Sequence, residues 1–163
     1  MPLTDADLAA HDALAQALIR HLRRVLQGKR FEEVALKRTA EPRVLVVRIP
    51  AASATVGDVL VYSDGGELTT VVGDHTHGHR GAYLYGGPSD PAAIEKAAAA
   101  EADWLRDLIE DRVVIWSRRA PNRQVLAGGT EELVGDALSG TPLWLATEAW
   151  LWSGHPYPLG RRG

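Results

Sequence analysis

The chain has 163 residues, of which 45% are hydrophobic and 24% are charged, a balance typical of one globular domain with a single core. Its formal net charge of −3 lacks the basic surplus that a phosphate-binding surface needs, so nucleic acid is not expected as the main ligand. The chain contains no cysteine, which excludes disulfides, thiolate metal sites and cysteine nucleophiles. Its acidic N-terminus and short apolar runs predict a cytoplasmic protein without a membrane partner.

The first predicted element is a helix over about residues 5–27. Thr4 is a suitable N-cap, and Gly28 is a typical residue for ending a helix. The apolar residues with helical spacing are Leu14, Leu18, Leu22 and Val25. This stripe predicts a helix with one face in the core.

Four β-rich segments come next, and the sequence Asp64-Gly65-Gly66 joins the last two. Glycines in such a short connection favour a hairpin, so we expect a mainly antiparallel sheet. The four segments cover 33–37, 43–49, 58–63 and 67–72. Each is rich in residues that favour strands.

The remaining predicted elements follow a glycine- and proline-rich loop over residues 81–90. They are a helix over 90–110, a buried strand over 113–117, a strand over 124–127, a short helix over 130–138 and a strand over 143–152. The chain as a whole is therefore predicted to be an α+β protein, a single domain over 1–163. We expect a mainly antiparallel sheet of five to seven strands, with two main helices packed on one face.

Three histidines at alternate positions, His75, His77 and His79, are the most distinctive feature of the sequence. Alternate residues on a strand point the same way, so a strand here would present three imidazoles on one face. This pattern is compatible with an exposed polar strand face, with a surface for a protein partner, or with a metal site. Neutral imidazole is a good zinc ligand, but one ion bound by all three would need a bend near Gly78.

Signals of other enzyme classes do not occur in the sequence. It has no phosphate-binding Gly-x-x-x-x-Gly-Lys loop, Gly-x-Ser-x-Gly elbow, His-Glu-x-x-His helix or dinucleotide-binding glycine pattern. We therefore assign no catalytic residues. Three tryptophans cluster near the C-terminus, at Trp144, Trp150 and Trp152, and they are compatible with either core packing or partner binding.

Residues 58–117 resemble small uncharacterised bacterial proteins of the immunity type, which are encoded beside polymorphic or contact-dependent toxins. The resemblance rests on short motifs in a fixed order: Gly66-Glu-Leu-Thr69, His75-Thr-His77, Trp104-Leu-Arg-Asp-Leu-Ile109 and Val113-Val-Ile-Trp116. Here Gly78-His79-Arg80 follows the second histidine, where the family has an aromatic and an acidic residue. The resemblance implies stoichiometric neutralisation of a toxin by covering its active site, with the anionic surface assisting association.

These observations together predict a non-enzymatic protein-binding module without a cofactor, with a bacterial toxin as the partner that the resemblance implies. The predicted partner-binding residues are Asp74, His75, His77, His79, Arg80, Trp150 and Trp152. The alternative is a zinc-binding protein or zinc-dependent hydrolase that uses His75, His77 and His79 as metal ligands.

Overall fold

The structure is a computed structural model that describes residues 2–38, 43–134, 137–138 and 146–159. Its helices are α1 (Asp5–Ala9), α2 (Ala13–Val25) and α3 (Pro91–Ile109), with a single 3-10 turn at Ala82–Leu84. Its strands are β1 (Glu32–Arg38), β2 (Val44–Ile49), β3 (Val59–Ser63), β4 (Glu67–Val72), β5 (Thr76–Gly81), β6 (Val113–Arg119), β7 (Val125–Val134), β8 (Ala137–Leu138) and β9 (Glu148–Trp150). The predicted α+β class is confirmed.

The described strands form two sheets, whereas one sheet was expected from the sequence. The first has the order β1-β2-β3-β4-β5, and the second has the order β8-β7-β6-β9. Within the second sheet, β6 pairs antiparallel with β7 on one side and with β9 on the other. Both hydrogen-bonding edges of β6 are therefore occupied by strands that follow it in the chain.

The chain divides into two compact units. The first comprises Met1–Pro50, Val59–Thr70 and Gly78–Arg106, and the second comprises Ala51–Asp58, Val71–His77 and Asp107–Gly163. The sequence expectation of one domain over 1–163 stays a prediction. None of the helices in the described part of the chain is long and apolar enough to cross a membrane.

The N-terminal segment forms two helices, so the prediction of one continuous helix over 5–27 was wrong. Thr4 and Asp7 form a capping box at the start of α1. Asp12 then adopts an extended backbone and its side chain caps α2 by accepting a hydrogen bond from the Ala15 amide at 2.8 Å. α1 therefore ends at Ala9 with Ala10 as its C-cap, and Asp12 begins a separate helix. The predicted apolar stripe of α2 is buried at Leu14, Leu18 and Leu22.

The prediction of a short helix over 130–138 was also wrong, because β7 continues through this region to Val134. Glu131 and Glu132 lie opposite Val114 and Val113 of β6, in register with the rest of the β6–β7 pair. Pairing with a buried strand overrides the local helical preference of the two glutamates. The strand predicted over 143–152 is confirmed only at β9, and residues 143–145 with Trp144 lie outside the described residues.

Candidate functional site

The histidine segment is not one continuous strand. A turn covers residues 73–75, in which the His75 amide donates to the Val72 carbonyl at 3.0 Å, and β5 begins only at Thr76. His75 is consequently 2% exposed, whereas His77 and His79 on β5 are exposed. The strand geometry that would place three imidazoles on one face therefore does not include His75.

Both ring nitrogens of His75 are used within the second unit. Its Nε2 atom lies 2.8 Å from the Thr55 carbonyl oxygen, and its Nδ1 atom lies 3.3 Å from Ser117 Oγ. Ser117, which is fully buried, donates its hydroxyl to Glu148 Oε1 at 2.6 Å. The His75 ring thus joins the segment around Thr55 to β6 and β9, and it offers almost no surface to a partner or metal ion.

Asp74 and Glu148 share Arg119 as a common partner in the second unit. The Arg119 guanidinium donates to Asp74 Oδ1 at 2.9 Å and to Asp74 Oδ2 at 3.1 Å, and its Nε donates to Glu148. The hydrogen bonds from Arg119 lower the pKa of Asp74. Burial tends to raise the pKa of Glu148, but the hydrogen bonds from Arg119 and Ser117 outweigh burial and lower it. Asp74, although exposed, is already engaged by this ion pair.

In the first unit, Glu67 holds two neighbouring aromatic side chains. Its Oε1 atom lies 2.7 Å from His79 Nδ1, and its Oε2 atom accepts a hydrogen bond from the Tyr83 hydroxyl at 2.6 Å. The hydrogen bond to Glu67 raises the pKa of Tyr83, because the carboxylate stabilises the protonated phenol. One carboxylate from β4 therefore fixes a histidine of β5 and a tyrosine of the following turn.

Arg80 connects the end of β5 to α3 within the same unit. Its Nε donates to Glu101 Oε2 at 2.8 Å, and Glu101, which is 4% exposed, also accepts from the Thr70 hydroxyl at 2.5 Å. Arg80 NH1 donates to the Tyr85 hydroxyl at 3.0 Å. Burial opposes the charge of Arg80, but the hydrogen bond to Glu101 raises the pKa of this side chain overall. A buried ion pair thus positions an exposed tyrosine.

Three consecutive large side chains project into solvent directly after β5. Tyr83 is 51% exposed, Leu84 is 56% exposed and Tyr85 is 37% exposed. We call these three residues together with His79 the tyrosine surface. The glycine and proline content of residues 81–90 predicted a loop, and no pattern in it pointed to the tyrosines. The signal that could have found them is the run Tyr83-Leu-Tyr85 itself, since three large side chains beside glycine-rich sequence have little opportunity to enter the core.

The structure distributes the other predicted partner-binding residues differently. His79 belongs to the tyrosine surface. Arg80 is not part of this surface, but it donates a hydrogen bond to the hydroxyl of Tyr85. Trp152 is 5% exposed and belongs to the core of the second unit. Trp150 is half-buried, lies opposite Ile115 on β6, and has a buried indole N–H without a hydrogen-bond partner among the described residues.

In the part of the chain that the structure describes, no group of three histidine, aspartate or glutamate side chains is placed to hold a metal ion. Zinc binding by His75, His77 and His79 stays a prediction. No protein-family model, curated protein or solved structure matches this chain. The resemblance to immunity-type proteins therefore also stays a prediction.

Proposed function

We propose that this chain is a non-enzymatic protein-binding module and that it contacts its partner through the tyrosine surface. The observation that supports this most directly is the exposure of Tyr83, Leu84 and Tyr85 in one continuous run. Tyrosine is enriched among the residues that dominate binding energy at protein interfaces, because it combines a large apolar ring with a polar hydroxyl.

The hydrogen bonds beneath the surface support the same function. Glu67 holds the Tyr83 hydroxyl, and Arg80 holds the Tyr85 hydroxyl. Side chains that are already ordered lose less conformational entropy when a partner binds, so a given contact area yields a higher affinity.

The partner that we propose is a bacterial toxin, on the basis of the resemblance of residues 58–117 to immunity-type proteins. In that case the module neutralises the toxin by occupying its active site, and no catalytic residue is required. The formal net charge of −3 of the chain would speed association with a basic toxin electrostatically.

To test this, the gene is deleted in its native host, and the growth of the deletion strain is compared with that of the parent strain. Complementation by the wild-type chain and by Leu126→Ala is expected to protect, whereas the double variant Tyr83→Ala/Tyr85→Ala is expected to fail. Leu126 is the matched control, because it is a large apolar side chain that is 55% exposed in the second unit.

The same variants are then measured for affinity with the purified toxin encoded next to the gene. Truncating a tyrosine at the centre of an interface costs about 2 kcal/mol or more, so the double variant should lose about 4 kcal/mol and bind about 1,000-fold more weakly. A purified pair that fails to associate contradicts the toxin assignment. Association that is unchanged by the double variant contradicts the assignment of the surface.

A further inference from the structure

The first unit contains a cavity of about 230 Å³ next to the turn that follows α2. It is lined by Pro2, Lys29, Arg30, Phe31, Glu32 and Glu33. The turn covers residues 26–28, in which Gly28 has a φ of +75°, and the Lys29 amide donates to the Leu26 carbonyl at 2.8 Å. The backbone at Lys29 and Arg30 therefore lies between a hydrogen-bonded helix end and the start of β1.

Both carboxylates in the wall are already paired with arginines that do not line the cavity. Glu33 accepts from Arg23 Nε at 2.6 Å and from the Leu3 amide at 2.6 Å, and its side chain is 4% exposed. Glu32 accepts from Arg48 NH1 at 2.9 Å. Burial tends to raise the pKa of Glu33, yet the hydrogen bonds from Arg23 and Leu3 lower it, so this carboxylate is ionised and its charge is compensated.

Lys29 and Arg30 differ from the other charged residues of the wall. Both side chains are exposed, and neither has an acidic partner among the residues that the structure describes. Because both glutamates are paired with arginines outside the cavity, Lys29 and Arg30 give it two positive charges that no carboxylate of the described residues compensates. Phe31 and Pro2 add an apolar wall to these charges. Phe31 is also the only phenylalanine of the chain.

We propose that this cavity binds a small organic anion, with the carboxylate held by Lys29 and Arg30 and an aromatic or apolar ring placed against Phe31. The arrangement follows the usual composition of small-ligand sites, in which an apolar wall is combined with a few polar groups that orient the ligand. Arginine and lysine both form charge-assisted hydrogen bonds to carboxylates, and arginine can do so through two parallel bonds. This site is independent of the tyrosine surface and of the proposed protein partner.

The test titrates the isotope-labelled full chain with benzoate and, separately, with benzyl alcohol and inorganic phosphate. Saturable shifts of the amides of residues 29–33 are expected with benzoate. Benzyl alcohol has the ring without the charge, and phosphate has the charge without the ring. Benzyl alcohol should bind about tenfold or more weakly than benzoate, since charged hydrogen bonds are roughly twice as strong as neutral ones. Phosphate should also bind about tenfold or more weakly, because it has no apolar surface to bury against Phe31.

The double variant Lys29→Met/Arg30→Met should lose most of the benzoate affinity and keep its fold, because both side chains are exposed. The matched control is Lys96→Met/Arg118→Met, which removes one lysine and one arginine that are also exposed but do not line the cavity. Benzoate binding that is absent, or equal in the two double variants, overturns the proposal. Equal affinity for benzyl alcohol overturns the role of the cations, and equal affinity for phosphate overturns the role of Phe31.

Discussion

The Tyr83 hydroxyl donates a hydrogen bond to Glu67 Oε2 at 2.6 Å, although the Tyr83 side chain is half exposed to solvent. A surface tyrosine is usually hydrated and adopts several rotamers. Here the carboxylate selects one orientation of the hydroxyl, and His79 contacts the other oxygen of the same carboxylate. The exposed ring is thus held in place by residues of β4 and β5 before any partner arrives.

The first prediction concerns the ionisation of Tyr83. Its hydrogen bond to Glu67 stabilises the neutral phenol, so the pKa of Tyr83 lies above the ordinary value of 10.0. Glu67→Gln removes the negative charge and should return the pKa toward that value. The measurement is an NMR titration of the tyrosine ring carbon, assigned with Tyr83→Phe. Glu95→Gln, which removes an exposed carboxylate of α3, is the control and should leave this pKa unchanged.

The second prediction uses two glycines of β5. A Cβ atom at Gly81 would overlap the ring of Tyr83, whereas a Cβ atom at Gly78 would meet nothing within 4 Å. Gly81→Ala should therefore displace the Tyr83 ring, at a cost of about 1–3 kcal/mol in unfolding free energy. Gly78→Ala should change stability by no more than about 0.5 kcal/mol. Urea unfolding together with the ring resonances of Tyr83 checks both, and equal behaviour of the two variants would contradict the close approach.

The third prediction addresses the ion pair between Arg80 and Glu101. Glu101 is buried, and Glu101→Ala would leave the Arg80 guanidinium partly buried without its carboxylate. Removing one partner of a buried pair costs about 3–5 kcal/mol, and the partial exposure of Arg80 favours the lower end of this range. The control is Glu95→Ala, whose exposed pair with Arg20 should contribute less than about 1 kcal/mol. Similar losses for the two variants in urea unfolding would rule out a structural role for the buried pair.

The elements that were predicted correctly are those whose sequence signal lies within their own segment. The segments 33–37, 43–49, 58–63 and 67–72 correspond to β1 to β4, and the helix over 90–110 corresponds to α3. In these segments the apolar pattern and the Asp64-Gly65-Gly66 turn are contained in the segment itself. Such signals are independent of the rest of the chain.

The features that the sequence did not reveal depend on contacts between distant residues. Glu131 and Glu132 favour a helix locally, and only their register with β6 places them in a strand. His75 has the spacing of a strand residue, but its contacts with Thr55 and Ser117 bury it. The tyrosine surface lacks any periodic pattern, so neither helical nor strand spacing could have identified it.

The fourth prediction concerns a glycine in β7 that faces His75. A Cβ atom at Gly128 would overlap the carbonyl oxygen of His75, and this backbone oxygen cannot rotate away as a side chain can. Gly128→Ala should therefore destabilise the protein by about 1–3 kcal/mol or more. Gly66→Ala, whose Cβ atom would meet nothing within 4 Å, is the control. Thermal unfolding that does not separate the two variants would contradict the close approach of β7 to His75.

The last prediction follows from the carboxylates that flank Arg119. Hydrogen bonds from Arg119 lower the pKa of Asp74, and those from Arg119 and Ser117 lower the pKa of Glu148 despite its burial. A carboxyl group with a lowered pKa in the folded state stabilises that state fully above its ordinary pKa. This stabilisation is lost as pH falls through the lowered pKa. The unfolding free energy should therefore decrease as pH is lowered from about 5 toward 2.

Arg119→Met removes the principal cause of both shifts. It should lower stability at neutral pH by about 1–3 kcal/mol, because Glu148 keeps its burial and loses its charged partner. It should also reduce the decrease of stability with acid. Asp74 contributes less to both effects, since its side chain is 72% exposed and its pairing is screened by solvent. Arg118→Met, an exposed neighbour on β6, is the control, and urea unfolding at pH 7, 5 and 3 is the measurement. If the two variants lose the same stability between pH 5 and 3, the acid sensitivity of the protein arises from other carboxylates.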